Sequence, residues 1–370
     1  MGGGTVTLFL CGDVMLGRGV DQILPHPGDP ALREEYVDDA RVYVRLAEAA
    51  RGPVPAPVLP SWPWGEALAW LEAEAPDVRI VNLETSVTRC GAFAPDKAVH
   101  YRMHPANLPA LLMIRADVCV LANNHVLDFG RTGLAETLAA LAAAGLRTAG
   151  AGPDARVARA PAVVPAGGGR VLVFAIGTRC SGIPADWAAG ADRSGVAYLP
   201  ALTPDAADAL LARVSRVRRP GDLTVVSVHW GSNWGYRVPA AQVRFAHALI
   251  DGGVDVVHGH SSHHPRPIEV YRGRLILHGC GDFVDDYEGI AGHERYRDDL
   301  RLAYLATVER ATGRLTGLRA LPLRSRRMRL ERAPRPDREW LREVLDGISE
   351  GVRIGVADDG VLVGSVEGRG

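Results

Sequence analysis

The chain has 370 residues, 47% hydrophobic and 23% charged, which is enough for one large α/β domain or two ordinary ones. A formal net charge of −1 excludes a chain-wide nucleic-acid or anionic-membrane footprint. No stretch reaches the roughly 18 consecutive apolar residues of a membrane-spanning helix. The five cysteines, Cys11, Cys90, Cys119, Cys180 and Cys280, form no C-x-x-C pair, so the expectation is a reduced, cytoplasmic protein rather than a disulfide framework.

Thr5 to Cys11 reads as a buried first strand that stops at Gly12-Asp13. An aspartate there lies at the carboxyl edge of a sheet, where open α/β sheets keep their sites, although a turn or helix-capping aspartate has the same local pattern. Pro25, Pro27 and Pro30 bracket a loop, a helical piece is expected over Leu32 to Ala50, and Gly52 to Pro57 is a stiff connection. Residues 25–64 thus form an insertion, a pocket wall or a surface embellishment. A helix over Gly65 to Glu74 precedes a second strand, Asp77 to Ser86, which runs out at Glu84. Arg102 is an anion contact or a surface arginine, and Ala106 to Arg115 reads as helix.

The third strand begins at Asp117 and ends in Asn123-Asn124-His125, with Asp128 beyond it. Amides and imidazoles are poor strand formers and costly to bury unpaired, so three together suggest a site. A helix over Thr132 to Ala144 follows, with Gly145 as its stop. After a strand over Arg170 to Ile176 and a helix over Thr203 to Arg218, the strand from Leu223 ends in His229-Trp230-Gly231. The strand from Val254 then delivers four histidines in seven positions, His258, His260, His263 and His264. Arg266 to His278 reads as a hairpin turning at Arg272-Gly273. Beyond Asp298 the chain is β-rich, with a basic run, Arg324 to Arg332, expected as an edge strand with a charged outer face. The expected organisation is a catalytic domain over 1–300 and a C-terminal extension over 301–370 packed on it.

Asp13, Glu84, Asn124, His125, His229, His260 and His263 or His264 form a mixed oxygen and nitrogen set at successive strand ends. It suits Mn²⁺, Fe²⁺ or Zn²⁺ rather than Ca²⁺ or Cu(I), and it exceeds what one ion needs. Two divalent ions, or one, are therefore expected. A two-metal centre activates a water and clamps a displacement at phosphorus or carbon.

In order and spacing, Gly12-Asp13, Asn82-Leu83-Glu84, Asn123-Asn124-His125 with Asp128, His229-Trp230-Gly231 and Gly259-His260 resemble the bacterial CapA family of poly-γ-glutamate capsule synthesis. That family is in turn similar to the calcineurin-like metallophosphoesterases. The resemblance spans residues 5–290 and implies a four-layer αββα sandwich with the site at strand C-terminal ends. It implies Asp13 on a first ion, Glu84 bridging, and Asn124, His229 and His260 on a second, with His263 or His264 completing the first. His125, oriented by Asp128, would be the acid that meets the substrate. Met15 stands where the phosphoesterase pattern has a further histidine ligand. The implied function is a hydrolase using a metal-activated water on a phosphoester or γ-glutamyl-type amide. Alternatives are a biosynthetic metalloenzyme that forms or rearranges an amide, or a non-catalytic scaffold with a decayed site. The expected partner is a small-molecule or peptide-like anionic substrate, with no nucleic acid and no membrane segment.

Overall fold

The computed structural model describes residues 4–366. The chain is mixed α/β, built on two large sheets. The first has ten strands, and its main path runs Val352–Val356, Leu362–Val366, Leu315–Ser325, Leu300–Glu309, Thr5–Val14, Val78–Leu83, Val118–Val120 and Arg147–Ala149. The second has seven, with Gly169–Thr178, Leu223–His229, Val256–His260 and Arg274–Leu277 at its parallel centre.

Strand alternation divides the apolar residues between the faces. Leu8, Leu10, Ile80 and Val118 of the first sheet join Val171, Val173, Val225 and Val256 of the second in one buried cluster. The opposite face of the first sheet presents Phe9, Val81 and Cys119 to a cluster containing Leu71, Leu111 and Leu134 from helices. Leu172, Phe174 and Val226 on the far face of the second sheet share a cluster with Leu210 and Leu249. Buried on both faces, the central strands are near-continuous apolar runs that end in polar residues.

Residues beyond 300 are woven into the first sheet. Leu300–Glu309 pairs antiparallel with Thr5–Val14, from Thr5 opposite Glu309 to Leu10 opposite Tyr304. The expected helix over 32–50 is confined to Arg41–Arg51. Before it the chain closes instead on an isolated bridge between Ala31 and Asp39, where the Leu32 N–H donates to the Asp38 carbonyl. The expected helix over 106–115 is a 3₁₀ turn, Pro105–Asn107, running into a short helix, Leu108–Leu112. Within the basic run, Arg324 and Arg327 pair with Glu331, and Arg329 lies over Trp62. All five cysteines are free, and among the described residues no helix is long and apolar enough to cross a membrane.

Candidate metal centre

The site begins with a close approach of two strand ends. A Cβ on Gly12 would lie 1.5 Å from the carbonyl oxygen of Gly281, so only glycine fits there. Gly281 itself has φ +78°, a conformation glycine adopts without strain. This contact sets Thr5–Val14 parallel to Asp282–Val284, with Asp13 opposite Asp282. Both aspartates are buried, and each has an Oδ2 atom with no hydrogen-bond partner.

Two groups of potential ligands converge here. Asp13, His229 and His260 form one, and Asp13, His263 and Asp282 form the other; within each, the donor atoms lie within 4.8 Å of one another. The carboxylate common to both is Asp13, whereas the family pattern implied Glu84 in the shared position. Glu84 Oε1 lies 3.6 Å from His229 Nε2, and Glu84 Oε2 accepts from Asn82 at 2.7 Å. The same amide donates to Asp13 Oδ1 at 2.8 Å, so Asn82 holds the two carboxylates side by side. Asn124 Oδ1 is 2.7 Å from His229 Nε2. Asn123 takes no part as a ligand. Its amide donates to Asn82 Oδ1 and to the Leu83 carbonyl, and its Oδ1 accepts from the backbone of His125 and Val126. It knits the second and third strand ends together.

The adjacent histidines part company. His263 Nδ1 meets Asp282 Oδ1 at 3.0 Å. Both ring nitrogens of His264 are taken elsewhere: Nδ1 by the Pro265 carbonyl at 3.0 Å, and Nε2 by the Gly235 N–H at 3.0 Å. Its ring packs among Trp234, Tyr236 and Tyr296. His264 therefore lies outside the cluster, held as a core aromatic. Ser261, a non-glycine residue at φ +105°, marks the sharp turn that precedes the pair.

The expected pairing of His125 with Asp128 is present in the geometry, with His125 Nδ1 2.6 Å from Asp128 Oδ2. Tyr101 stacks on the imidazole with ring centroids 3.8 Å apart, and its N–H donates to Asp128 Oδ2. Lys97 was not singled out in the sequence, yet its ammonium contacts Asp128 Oδ1 and lies 2.9 Å from His125 Nδ1. No local pattern marks that lysine. Asp282 had a weak signal, as the end of a glycine-flanked run. Arg102 pairs with Asp29 and lies over Phe129. A cavity of about 440 Å³ opens beside these groups, lined by Glu84, Lys97, Asn124, His125, Trp234 and His263 among others.

Burial governs the protonation states. It lifts Glu84 to about 8 and Asp128 to about 6, the latter despite the opposing charge of Lys97. Asp13 rises for the same reason, reinforced by the neighbouring Glu84 charge. Burial pulls His229, His260 and His125 well down, so the imidazoles are neutral and have lone pairs to offer. His263 is the exception. Burial lowers it, but Asp282 outweighs burial and raises it, and Asp282 is lowered in return despite its own burial.

The model of the bacterial capsule synthesis protein PGA_cap matches residues 7–287. A Mycobacterium tuberculosis protein named "Probable polyglutamine synthesis accessory protein" is 57% identical over 362 residues, covering 96% of this chain and 95% of its own. The "PGA biosynthesis protein CapA" of Bacillus subtilis is 30% identical over 56% of this chain and 52% of its own. The "Capsule biosynthesis protein CapA" of Bacillus anthracis is 26% identical over 81% of this chain and 63% of its own.

Proposed function

Because the chain belongs to the PGA_cap family of bacterial capsule synthesis proteins, we propose that it is a metal-dependent hydrolase of a glutamyl-type amide, with a phosphoester as the second substrate class. The observation that carries this is the junction of two ligand groups through Asp13, beside a cavity that His125 also lines. Carboxylate and imidazole donors suit Mn²⁺, Fe²⁺ or Zn²⁺. The unpartnered Oδ2 atoms of Asp13 and Asp282 fit such ions, since a buried carboxylate oxygen left unpaired costs roughly 1–3 kcal/mol or more. Asp13, His229 and His260 would hold one ion, with Asn124 and Glu84 at its side. Asp13, His263 and Asp282 would hold the other, so Asp282 makes good the ligand lost at Met15. When bound, such ions act as Lewis acids and lower the pKa of water. The two packed sheets with their flanking helices fit the four-layer metallophosphoesterase sandwich.

The chain's own residues then have definite tasks. Asp128 would accept the Nδ1 proton of His125, which leaves the Nε2 lone pair to take a proton at the reacting group and return it to the leaving group. Tyr101 restricts rotation of the imidazole by stacking on it. Lys97 offsets the charge of Asp128 beside the cavity. Trp234 and His293, stacked with centroids 3.7 Å apart, line one side of the cavity.

The relatives' names favour a second reading, since they speak of synthesis: the same centre would form or transfer an amide. The test has two stages. Metal analysis after Mn²⁺ supplementation is expected to give about two equivalents; under about half an equivalent overturns both enzyme readings. Oligo-γ-glutamate, p-nitrophenyl phosphate and its diester are then assayed. Cleavage of the amide alone selects the amidase, cleavage of an ester alone the phosphoesterase. Metal binding with all three inert favours the synthetic reading.

A further inference from the structure

The mechanism leaves unused a buried polar pair that links the two sheets, Ser227 and His258. They lie opposite one another in the parallel register of Leu223–His229 with Val256–His260. Both have zero exposure, in a region where polar side chains need a reason. The contacts form a chain. His258 Nε2 is 2.8 Å from the carbonyl oxygen of Cys11, His258 Nδ1 is 3.1 Å from Ser227 Oγ, and Ser227 Oγ is 2.8 Å from His260 Nε2. Cys11 lies in the register break between Leu10 and Asp13, where the ladder to Val78–Leu83 is interrupted.

Proton counting from the carbonyl end of the chain favours one arrangement. A carbonyl oxygen only accepts, so His258 carries hydrogen on Nε2. His258 has no carboxylate among its hydrogen-bond partners, and a buried imidazolium without a counter-ion is too costly, so the ring is neutral and Nδ1 has a lone pair. Ser227 has a single hydrogen for two imidazole nitrogens, and His258 Nδ1, held as a lone pair, is the one that needs it. Its oxygen can then only accept from His260 Nε2–H, which leaves His260 Nδ1 unprotonated. That atom lies 2.8 Å from His229 Nδ1 and 4.0 Å from Asp13 Oδ1.

We propose that Ser227 and His258 are positioning residues that transmit the direction of the Cys11 carbonyl to His260, holding it as the Nε2–H tautomer with the Nδ1 lone pair aimed at the cation position. The metal half of this rests on the function proposed above; the tautomer half does not. Partners that fix a ligating imidazole's tautomer typically change metal affinity by about 10–100-fold.

The test uses the full chain, with ¹⁵N NMR of the histidine rings in metal-free protein and Mn²⁺ titration calorimetry. Wild type is expected to show His260 protonated on Nε2. In Ser227→Ala that preference is lost, and one Mn²⁺ site weakens by about 10–100-fold while the other is unchanged. Ser227→Thr keeps the hydroxyl and is expected to restore both. A wild-type His260 protonated on Nδ1, or a Ser227→Ala chain with unaltered tautomer and affinity, overturns the relay. Wild-type protein that shows Nε2–H but binds no Mn²⁺ supports the relay and instead defeats the proposed function. Unchanged far-ultraviolet circular dichroism separates positioning from misfolding, and Ser227→Thr guards against a fold that Ser227→Ala alone disrupts.

Discussion

Asp13 and Asp282 face each other across two parallel strand ends, and each keeps one buried carboxylate oxygen without a partner. Two like charges brought together away from water are unfavourable unless a proton or a cation lies among them. In Asp282→Asn, Mn²⁺ stoichiometry measured by calorimetry is expected to fall from about two to about one. Asp13→Asn, which removes the shared carboxylate, should cost both ions. His264→Ala should leave the stoichiometry intact and lower only thermal stability, because its ring packs instead of ligating.

His125→Ala separates chemistry from metal binding. The ring touches Asp128, Lys97 and Tyr101 and belongs to neither ligand group. Metal content should stay at the wild-type level, while kcat on whichever substrate is turned over falls by roughly 10²–10⁴-fold, the usual worth of a positioned acid or base. Loss of metal in this variant would show the assignment to be wrong.

Glu84 would make metal uptake depend on pH. Burial raises its carboxyl to about 8, so below that pH an incoming ion must displace a proton. Apparent Mn²⁺ affinity is expected to rise by about tenfold per pH unit for each proton displaced, and to level off above pH 8. Stability of the metal-free chain moves the other way. Between an unfolded pKa near 4.3 and the folded value, the native state binds more protons than the unfolded, so this group's contribution to stability falls as pH rises. Glu84→Gln should flatten both trends, as read by calorimetry and by urea denaturation in chelator.

Glu136 carries an opposite signature away from the site. It accepts from Thr88 Oγ1 at 2.6 Å and from the N–H groups of Arg89 and Cys90, tying that segment to the helix Gly130–Ala143. Slight burial alone would raise its carboxyl, but these donors outweigh it and hold it at about 2. A depressed carboxyl stabilises the fold above its unfolded pKa and loses that contribution as pH falls toward the folded value. Glu136→Gln is expected to cost about 1–3 kcal/mol in urea denaturation at pH 7, with the gap to wild type narrowing steadily as pH falls below about 4.3.

Much of the centre was legible along the chain. Apolar strand runs that stop abruptly at Asp13, Glu84, Asn124, His229 and His260 mark one edge of the sheets, because polar side chains at the end of a buried run are costly anywhere but in a site. His125 and Asp128 are three residues apart, so one turn brings them together. The hairpin at Arg272-Gly273 followed from turn residues and alternation. By contrast, the first expected helix lacks its N-terminal part, where residues 31–39 close on a backbone bridge that propensity over a window does not register.

What the sequence by itself determined was the inventory of donors and the strand ends that carry them, because periodicity and burial are local properties of the chain. The tertiary structure alone decided which donors lie together. Asp282 reaches Asp13 through a pairing of strands 269 residues apart in the chain, enforced by the Gly12 and Gly281 contact. His263 and His264 have the same chemistry and adjacent positions. Only the aromatic residues Trp234, Tyr236 and Tyr296, supplied by two other segments, draw His264 away and leave His263 to Asp282. Register and long-range packing of this kind depend on how the whole sheet closes, which no local stretch encodes.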